Sequence, residues 1–158
     1  TGLFEFPKVN NEQYKTISDI KESDDATVKY ILNRSDIKID KEKLEKAIKI
    51  KKTNKPIQIG IIGKGGQGNR IYHENGIGIT LAASSGGAAS KTGAYYINGV
   101  VRKLSPREAA RLQTFPDDFV FTGSIDKMYR QVGNAVPVKL ANLIALEIIK
   151  SLNKYNKK

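Results

Sequence analysis

The spacing of apolar positions changes along this chain, and each change marks an element. Residues 57–62, IQIGII, form a continuous β-branched run closed by Gly63, which predicts a strand. Residues 77–81 and 94–101 have the same character, and Asn98-Gly99 within the second is a hairpin turn signal. Short strands separated by glycine-rich loops predict a small, mainly antiparallel sheet. Helical spacing lies on both sides. Two short helices are expected between residues 24 and 50, the second capped by Asp40, with Ile39 and Leu44 at hydrophobic-staple spacing and Leu44, Ala47 and Ile48 as its buried face. Glu42/Lys46 and Glu45/Lys49 add i,i+4 pairs. Ser105, Pro106 and Glu108 form a capping box that opens a helix, and Phe115-Pro116 ends it. A further helix is predicted over residues 124–132, ending at Gly133, and a last one over residues 137–152. Val138, Ala141, Ala145, Ile148, Ile149 and Leu152 make one apolar stripe of that last helix, which Leu140, Leu143 and Ile144 widen to most of its circumference. A helix of that pattern is expected to be buried on more than one side. Residues 1–27 read as polar and irregular apart from Leu3, Phe4 and Phe6, with Pro7 closing that cluster.

Composition narrows the picture. At 158 residues the chain is one domain, or one and a fraction. A net charge of +11 suits a polyanionic partner, with a merely soluble basic surface as the equal alternative. With no cysteine, disulfides, thiolate metal sites and a cysteine nucleophile are all excluded, and a single histidine excludes a His-rich metal cluster. No signal peptide and no apolar run of membrane-spanning length is evident, so a cytoplasmic location without membrane contact is expected. The opening TGLFEFPK lacks an initiating Met and reads as the interior of a longer sequence.

The chemistry concentrates in residues 63–93, which hold nine of the fourteen glycines. Gly63, Gly65 and Gly68 have the G-x-G-x-x-G spacing of a dinucleotide loop, but the residues after them make a poor crossover helix and no acid stands about 20 positions on. The P-loop pattern fails as well. Glycines also let a backbone approach DNA closely, while Gln67, Asn69 and Arg70 offer groups able to bond base edges, arginine in particular gripping guanine O6 and N7. Ser84, Ser85, Gly86 and Gly87 supply a second flexible loop, and the Thr80 hydroxyl suits a phosphate oxygen. The plain structural readings are that Arg70 pairs with Glu74 and that Thr80 is a strand former. Lys49, Lys51, Lys52 and Lys55 read first as a solvated surface and second as phosphate contacts.

Two later stretches carry a resemblance. RKLSPREAARLQTFPD resembles the ninth conserved motif of the cytosine-5 DNA methyltransferases, and YRQVGNAVP resembles their tenth. GKGGQGNRIYHENGIGITL and KTGAYYINGVVRKLSPRE resemble the target-recognition region of the HhaI-type bacterial modification enzymes and the sequence after it. The likeness runs from about Phe4 to the C-terminus and is weakest over residues 9–56. It implies a mixed α/β, α+β-like chain: a recognition domain over residues 1–104, the ninth-motif helix and hinge over 105–133, and over 134–158 the tenth motif with a helix belonging to an S-adenosylmethionine-dependent methyltransferase fold whose Rossmann-like half is missing. By motif position Gln67 matches a residue entering the space left by a flipped base, Arg70 a guanine reader and Thr80 a phosphate contact. Gly86 and Gly87 lie in the second recognition loop, and Asn134 and Ala135 fall at the S-adenosylmethionine pocket, Asn134 alternatively capping the last helix. Arg107 to Arg111 and Tyr129 match positions with a structural role, fixing the recognition domain against the large one.

The implied reaction is that of a restriction-modification system: a thiolate adds to C6 of a flipped cytosine in double-stranded DNA, C5 takes a methyl group from S-adenosylmethionine, and a proton leaves C5. Lacking cysteine, this chain is expected to be inactive alone, as a fragment or as one subunit of a split enzyme whose partner is the catalytic part. Self-association through the exposed last helix is also expected. Two other classes stay open: a stand-alone DNA-binding module, and a nucleotide-binding protein using residues 63–68. At the second loop the sequence departs from the HhaI type, with Ser84-Ser85 and Ala88-Ala89 where that type has an aromatic residue, a third glycine and a bulky apolar pair. A guanine beside the target cytosine is expected from Gln67 and Arg70, and the rest of the recognition sequence stays open.

Overall fold

In a computed structural model of the chain, the residues described are 4–8, 14–81 and 92–156. Five strands make one sheet in chain order: β1 (Ile37–Ile39), β2 (Gln58–Ile62), β3 (Arg70–His73), β4 (Ala94–Ile97) and β5 (Val100–Arg102). Every neighbouring pair is antiparallel except β3 and β4, which run parallel and are joined by residues 74–93. The expected hairpin stands between β4 and β5, with Asn98 and Gly99 at φ +48° and +87°.

Period-two alternation, broken in β2 by an irregularity between Gln58 and Gly60, sends the strands' side chains to two separate cores. On one face Tyr72, Tyr95 and Ile97 pack with Leu104 and with Ile17 and Ile20 of α1 (Ile17–Ile20). On the other, Ile59, Ile62, Ile71, Ala94 and Val101 pack with Ala47 of α3 (Lys41–Lys49), a helix that comes after the short α2 (Asp24–Thr27). Asp40 caps α3 as expected, accepting from the Lys43 main-chain N–H at 3.1 Å. Ile48 does not join that core; it is 59% exposed, and Ala47 is the helix's only fully buried residue.

Two sequence expectations change. Residues 1–27 are not irregular throughout: Thr16 caps α1, and the two isoleucines of α1 fill the first core. Residues 77–81 form no strand. A Cβ on Gly76 would lie 2.7 Å from the Lys55 carbonyl, and one on Gly78 would lie 2.7 Å from Leu112, so these glycines hold the segment against its neighbours rather than in a ladder. The strand at that point is instead RIYH, β3, whose β-branched and aromatic residues alternate between the two cores.

After the sheet come α4 (Pro106–Leu112), α5 (Ile125–Asn134) and α6 (Val138–Tyr155). The capping box of α4 is present, with Ser105 and Glu108 bonding reciprocally. Helix α5 runs through Gly133 to Asn134, and the cap of α6 is Pro137, so Asn134 does not cap the last helix. The start of α6 is tied to the end of α4: Val138 N–H donates to the Gln113 carbonyl at 3.0 Å, and Lys139 N–H to Thr114 Oγ1 at 2.8 Å.

Helix α6 contains no buried residue, and Leu140, Leu146, Ile149 and Leu152 are all exposed. The expected apolar stripe is present, but among the described residues nothing covers it. Residues 125–155 also meet the length and hydropathy of a membrane-crossing helix, which the sequence reading did not find. Ala135–Pro137 breaks that span, and the 18 residues of α6 reach only about 27 Å, short of the roughly 30 Å hydrocarbon layer. Lys139, Glu147 and Lys150 interrupt its surface, the last two as an ion pair at 2.6 Å.

Candidate nucleic-acid interface

The first glycine loop leaves β2 and enters β3 through a left-handed turn and a 3-10 turn. Gly63 and Gly65 take φ of +59° and +73°, where an L side chain is strained, and Gln67–Asn69 form the 3-10 turn. Three of the loop's amides are paired within the fold: Gly63 N–H donates to the Asp36 carbonyl at 3.0 Å, Gly65 N–H to Ile62 at 3.1 Å and Asn69 N–H to Gly66 at 2.9 Å. Amides satisfied in this way are not offered to a pyrophosphate, and the loop runs on into a strand rather than a helix whose N-terminus could hold one. The dinucleotide reading therefore loses its geometry.

Arg70 opens β3, opposite Ile61 of β2, with its side chain exposed at the end of the sheet. It does not pair with Glu74. That carboxylate instead binds the Lys21 ammonium at 2.8 Å and accepts from the Asn98 N–H at 3.0 Å. Gln67 sits at the start of the 3-10 turn beside Arg70, and its side chain lies outside the described part of the structure.

Thr80 is exposed and shares a cleft of about 410 Å³ with Leu112, Gln113 and Pro137. The strand-former reading of Thr80 thus gives way to a surface hydroxyl in a groove between residues 78–81 and the α4–α6 junction. Gly86 and Gly87 lie outside the described residues. Asn134 is exposed at the end of α5, and among the described residues its side chain has no hydrogen-bond partner; Ala135, next in the chain, is half-buried.

Behind these positions is a polar framework that sequence reading saw only in part. Arg102, the last residue of β5, and Glu108 of α4 are 1% and 0% exposed and meet in two parallel bonds of 2.7 Å. The carboxylate also accepts from the main-chain N–H of Ser105 and of Glu22, and Ser105 Oγ donates to the Glu22 carboxylate. Tyr129 of α5 donates its hydroxyl to the Leu104 carbonyl, and burial pushes its pKa well above the ordinary tyrosine value. Arg111 binds Asp117 at 2.7 Å and the Ile20 carbonyl at 3.0 Å, while Arg107 donates to the Phe119 carbonyl at 2.7 Å and stacks on Phe121. The sheet, α1, α4 and α5 are thereby joined around one buried charge pair.

The family model for C-5 cytosine-specific DNA methylase matches residues 1–150 of this sequence. The chain belongs to that family. The type II methyltransferase M.HhaI of Haemophilus parahaemolyticus is 39% identical over 150 residues, covering 95% of this chain and 44% of that protein. M.PspPI of Psychrobacter sp. (strain TA137) is 58% identical over 52 residues, 33% of this chain and 12% of that protein. M.HgiCI of Herpetosiphon aurantiacus is 40% identical over 82 residues, 52% of this chain and 19% of that protein. The chain therefore spans less than half the length of the relatives it matches.

Arg102, Ser105, Glu108 and Arg111, all within residues 102–117, build this framework, and each bonds across elements. Sequence reading took Glu108 as half of a capping box and missed its pairing with Arg102. The available signal was an arginine closing an apolar strand six positions before an acid at the start of a helix. Lys103 was missed as well: its ammonium donates to the carbonyls of Gly68 at 3.3 Å and Gly93 at 2.9 Å, and nothing in the local sequence announces so distant a pairing.

Proposed function

We propose that this chain is the target-recognition part of a type II cytosine-5 DNA methyltransferase, active in the cytoplasm as one half of a restriction-modification system. The supporting observation is Arg70: an exposed arginine at the end of a sheet, next to Gln67, with its alternative partner Glu74 already held by Lys21. A planar guanidinium presented from a strand end can bond O6 and N7 of guanine together, and the glycine loop, open around Gly66, lets the backbone come close to the duplex. Gln67 is assigned to the gap left by the flipped cytosine, Thr80 to a phosphate in the groove it lines, and Gly86 and Gly87 to the second reading loop. The proposed division is recognition domain 1–104, ninth-motif hinge 105–133 and tenth motif 134–158.

The reaction needs a thiolate that this sequence, with no cysteine, cannot provide, so a catalytic part must complete it, in the same polypeptide or as a separate subunit. Asn134 and Ala135 fit one wall of an S-adenosylmethionine pocket: an exposed amide free to donate and accept, beside a small residue that admits a ligand. S-adenosylmethionine would supply the electrophilic methyl group there. The bare apolar face of α6 fits the same picture, as a surface that the catalytic part covers.

Arg70→Ala in the completed enzyme tests the reading. Discrimination at one base pair, the guanine beside the target cytosine, should fall by about 1–3 kcal/mol, while other positions keep their preference. An unchanged preference at every position would remove Arg70 from base reading. A stand-alone DNA-binding module would instead give the chain by itself tight, site-specific binding.

A further inference from the structure

The geometry points to Lys103 as the residue that holds the first DNA-reading loop, at Gly68, against the chain's return into β4 at Gly93, a positioning residue acting through those two backbone carbonyls. This inference rests on the proposed recognition role. Lys103 stands directly after β5, and its own N–H donates to the Tyr30 carbonyl at 3.0 Å, which anchors the base of the side chain. From there the ammonium reaches Gly68, between Gln67 and Arg70 in the first loop, and Gly93, where the chain returns into β4. The β3–β4 ladder starts at Ile71 opposite Ala94, so Lys103 adds a cross-link just beyond its end, on the side where Arg70 stands.

The backbones are close at that point. Gly93 has φ +73°, and a Cβ there would come within 3.3 Å of the Arg70 carbonyl and 3.0 Å of the Tyr72 ring. A shift of the first loop relative to residues 92–94 would therefore be felt directly at Arg70. The chemistry of the cross-link also calls for explanation. Burial, and then the nearby Arg34, press the Lys103 pKa below the ordinary lysine range, so an ammonium at this position is disfavoured electrostatically. A methionine would fill the space without that cost. What lysine adds, among the described residues, is a directional bond to the Gly68 carbonyl and another to the Gly93 carbonyl.

The test uses the active enzyme that contains this chain, with Lys103→Met, Lys103→Gln and Arg70→Ala compared. The probes are a short duplex bearing the preferred site, found by methylating a randomised library, and the same duplex with each base pair replaced in turn. Lys103→Met is expected to lower discrimination by about tenfold. It should speed amide hydrogen exchange in residues 66–70 and 92–94 together, and leave the salt dependence of DNA binding unchanged. Lys103→Gln, reaching one carbonyl at most, should move both readouts in the same direction by less, and it decides the matter if Lys103→Met does not fold. A folded Lys103→Gln enzyme with native discrimination and native exchange overturns the positioning role. A salt slope lower by about one overturns it too, since Lys103 would then be a phosphate contact. If Arg70→Ala lowers discrimination and the Lys103 variants do not, the positioning role alone falls; if Arg70→Ala leaves discrimination intact, the recognition reading falls.

Discussion

Removing the charge of Glu108 should unfold this protein far more readily than its conservative chemistry suggests. Glu108→Gln keeps the shape of the side chain, yet the native carboxylate accepts two bonds from Arg102 and one each from the Ser105 and Glu22 main chain. An amide has one oxygen, so its NH2 group must face donors where an oxygen stood. Arg102, 1% exposed, would be left as a buried charge without its counter-ion. Breaking a buried pair in this way costs about 3–5 kcal/mol, a large share of the roughly 5–15 kcal/mol that holds a domain together. For a chain of this length that corresponds to about 6–20 °C in Tm. With no tryptophan and seven tyrosines, unfolding can be monitored by tyrosine fluorescence in a urea titration. A loss below about 1 kcal/mol would show that the pair is not the joint between β5 and α4. Arg102→Met combined with Glu108→Leu supplies the second check: the double variant should be more stable than either single one, and simple additivity would refute the coupling.

Two further outcomes can be measured on the chain itself. The Asp40 carboxyl is held below its ordinary pKa, mainly by the bond from the Lys43 N–H and also by the Lys43 ammonium. That contribution is present above the usual aspartate range and is lost as pH falls through the lowered value, so acid should weaken α3. Asp40→Asn, an equally good cap, should leave stability at neutral pH unchanged and flatten the acid limb of a circular-dichroism titration; an unaltered acid limb would exclude Asp40 as its source. Because Ile149 and Leu152 are 53% and 56% exposed on α6, the chain alone should bind an apolar dye and associate with rising concentration. Ile149→Lys with Leu152→Lys should suppress both effects, and a wild-type chain that is monomeric and silent to dye would contradict an uncovered face.

The parts of this molecule that could be read from the chain are those governed by neighbours in sequence. A helix cap needs only residues three apart, so Asp40 and the Ser105–Glu108 box were evident, and a hairpin needs only its turn, so Asn98-Gly99 placed β4 against β5. The late motifs likewise identified the family, and the failure of the dinucleotide pattern could be seen in the residues after Gly68. Relations across the fold were a different matter. Ile17 and Ile20 are too few to show a period, and only the sheet's need for a cover makes α1 a core element. Residues 77–81 have the composition of a strand, but Gly76 and Gly78 bring them too close to Lys55 and Leu112 for a ladder to form. Glu74 was available to Arg70 by spacing, and tertiary contact gave it to Lys21 instead. The same holds for the buried Arg102–Glu108 pair and for Lys103, whose described partners Gly68 and Gly93 stand 35 and 10 residues away. Local preference acts through the few residues on either side of a position, whereas desolvation, close approach and charge pairing depend on what the folded chain brings together.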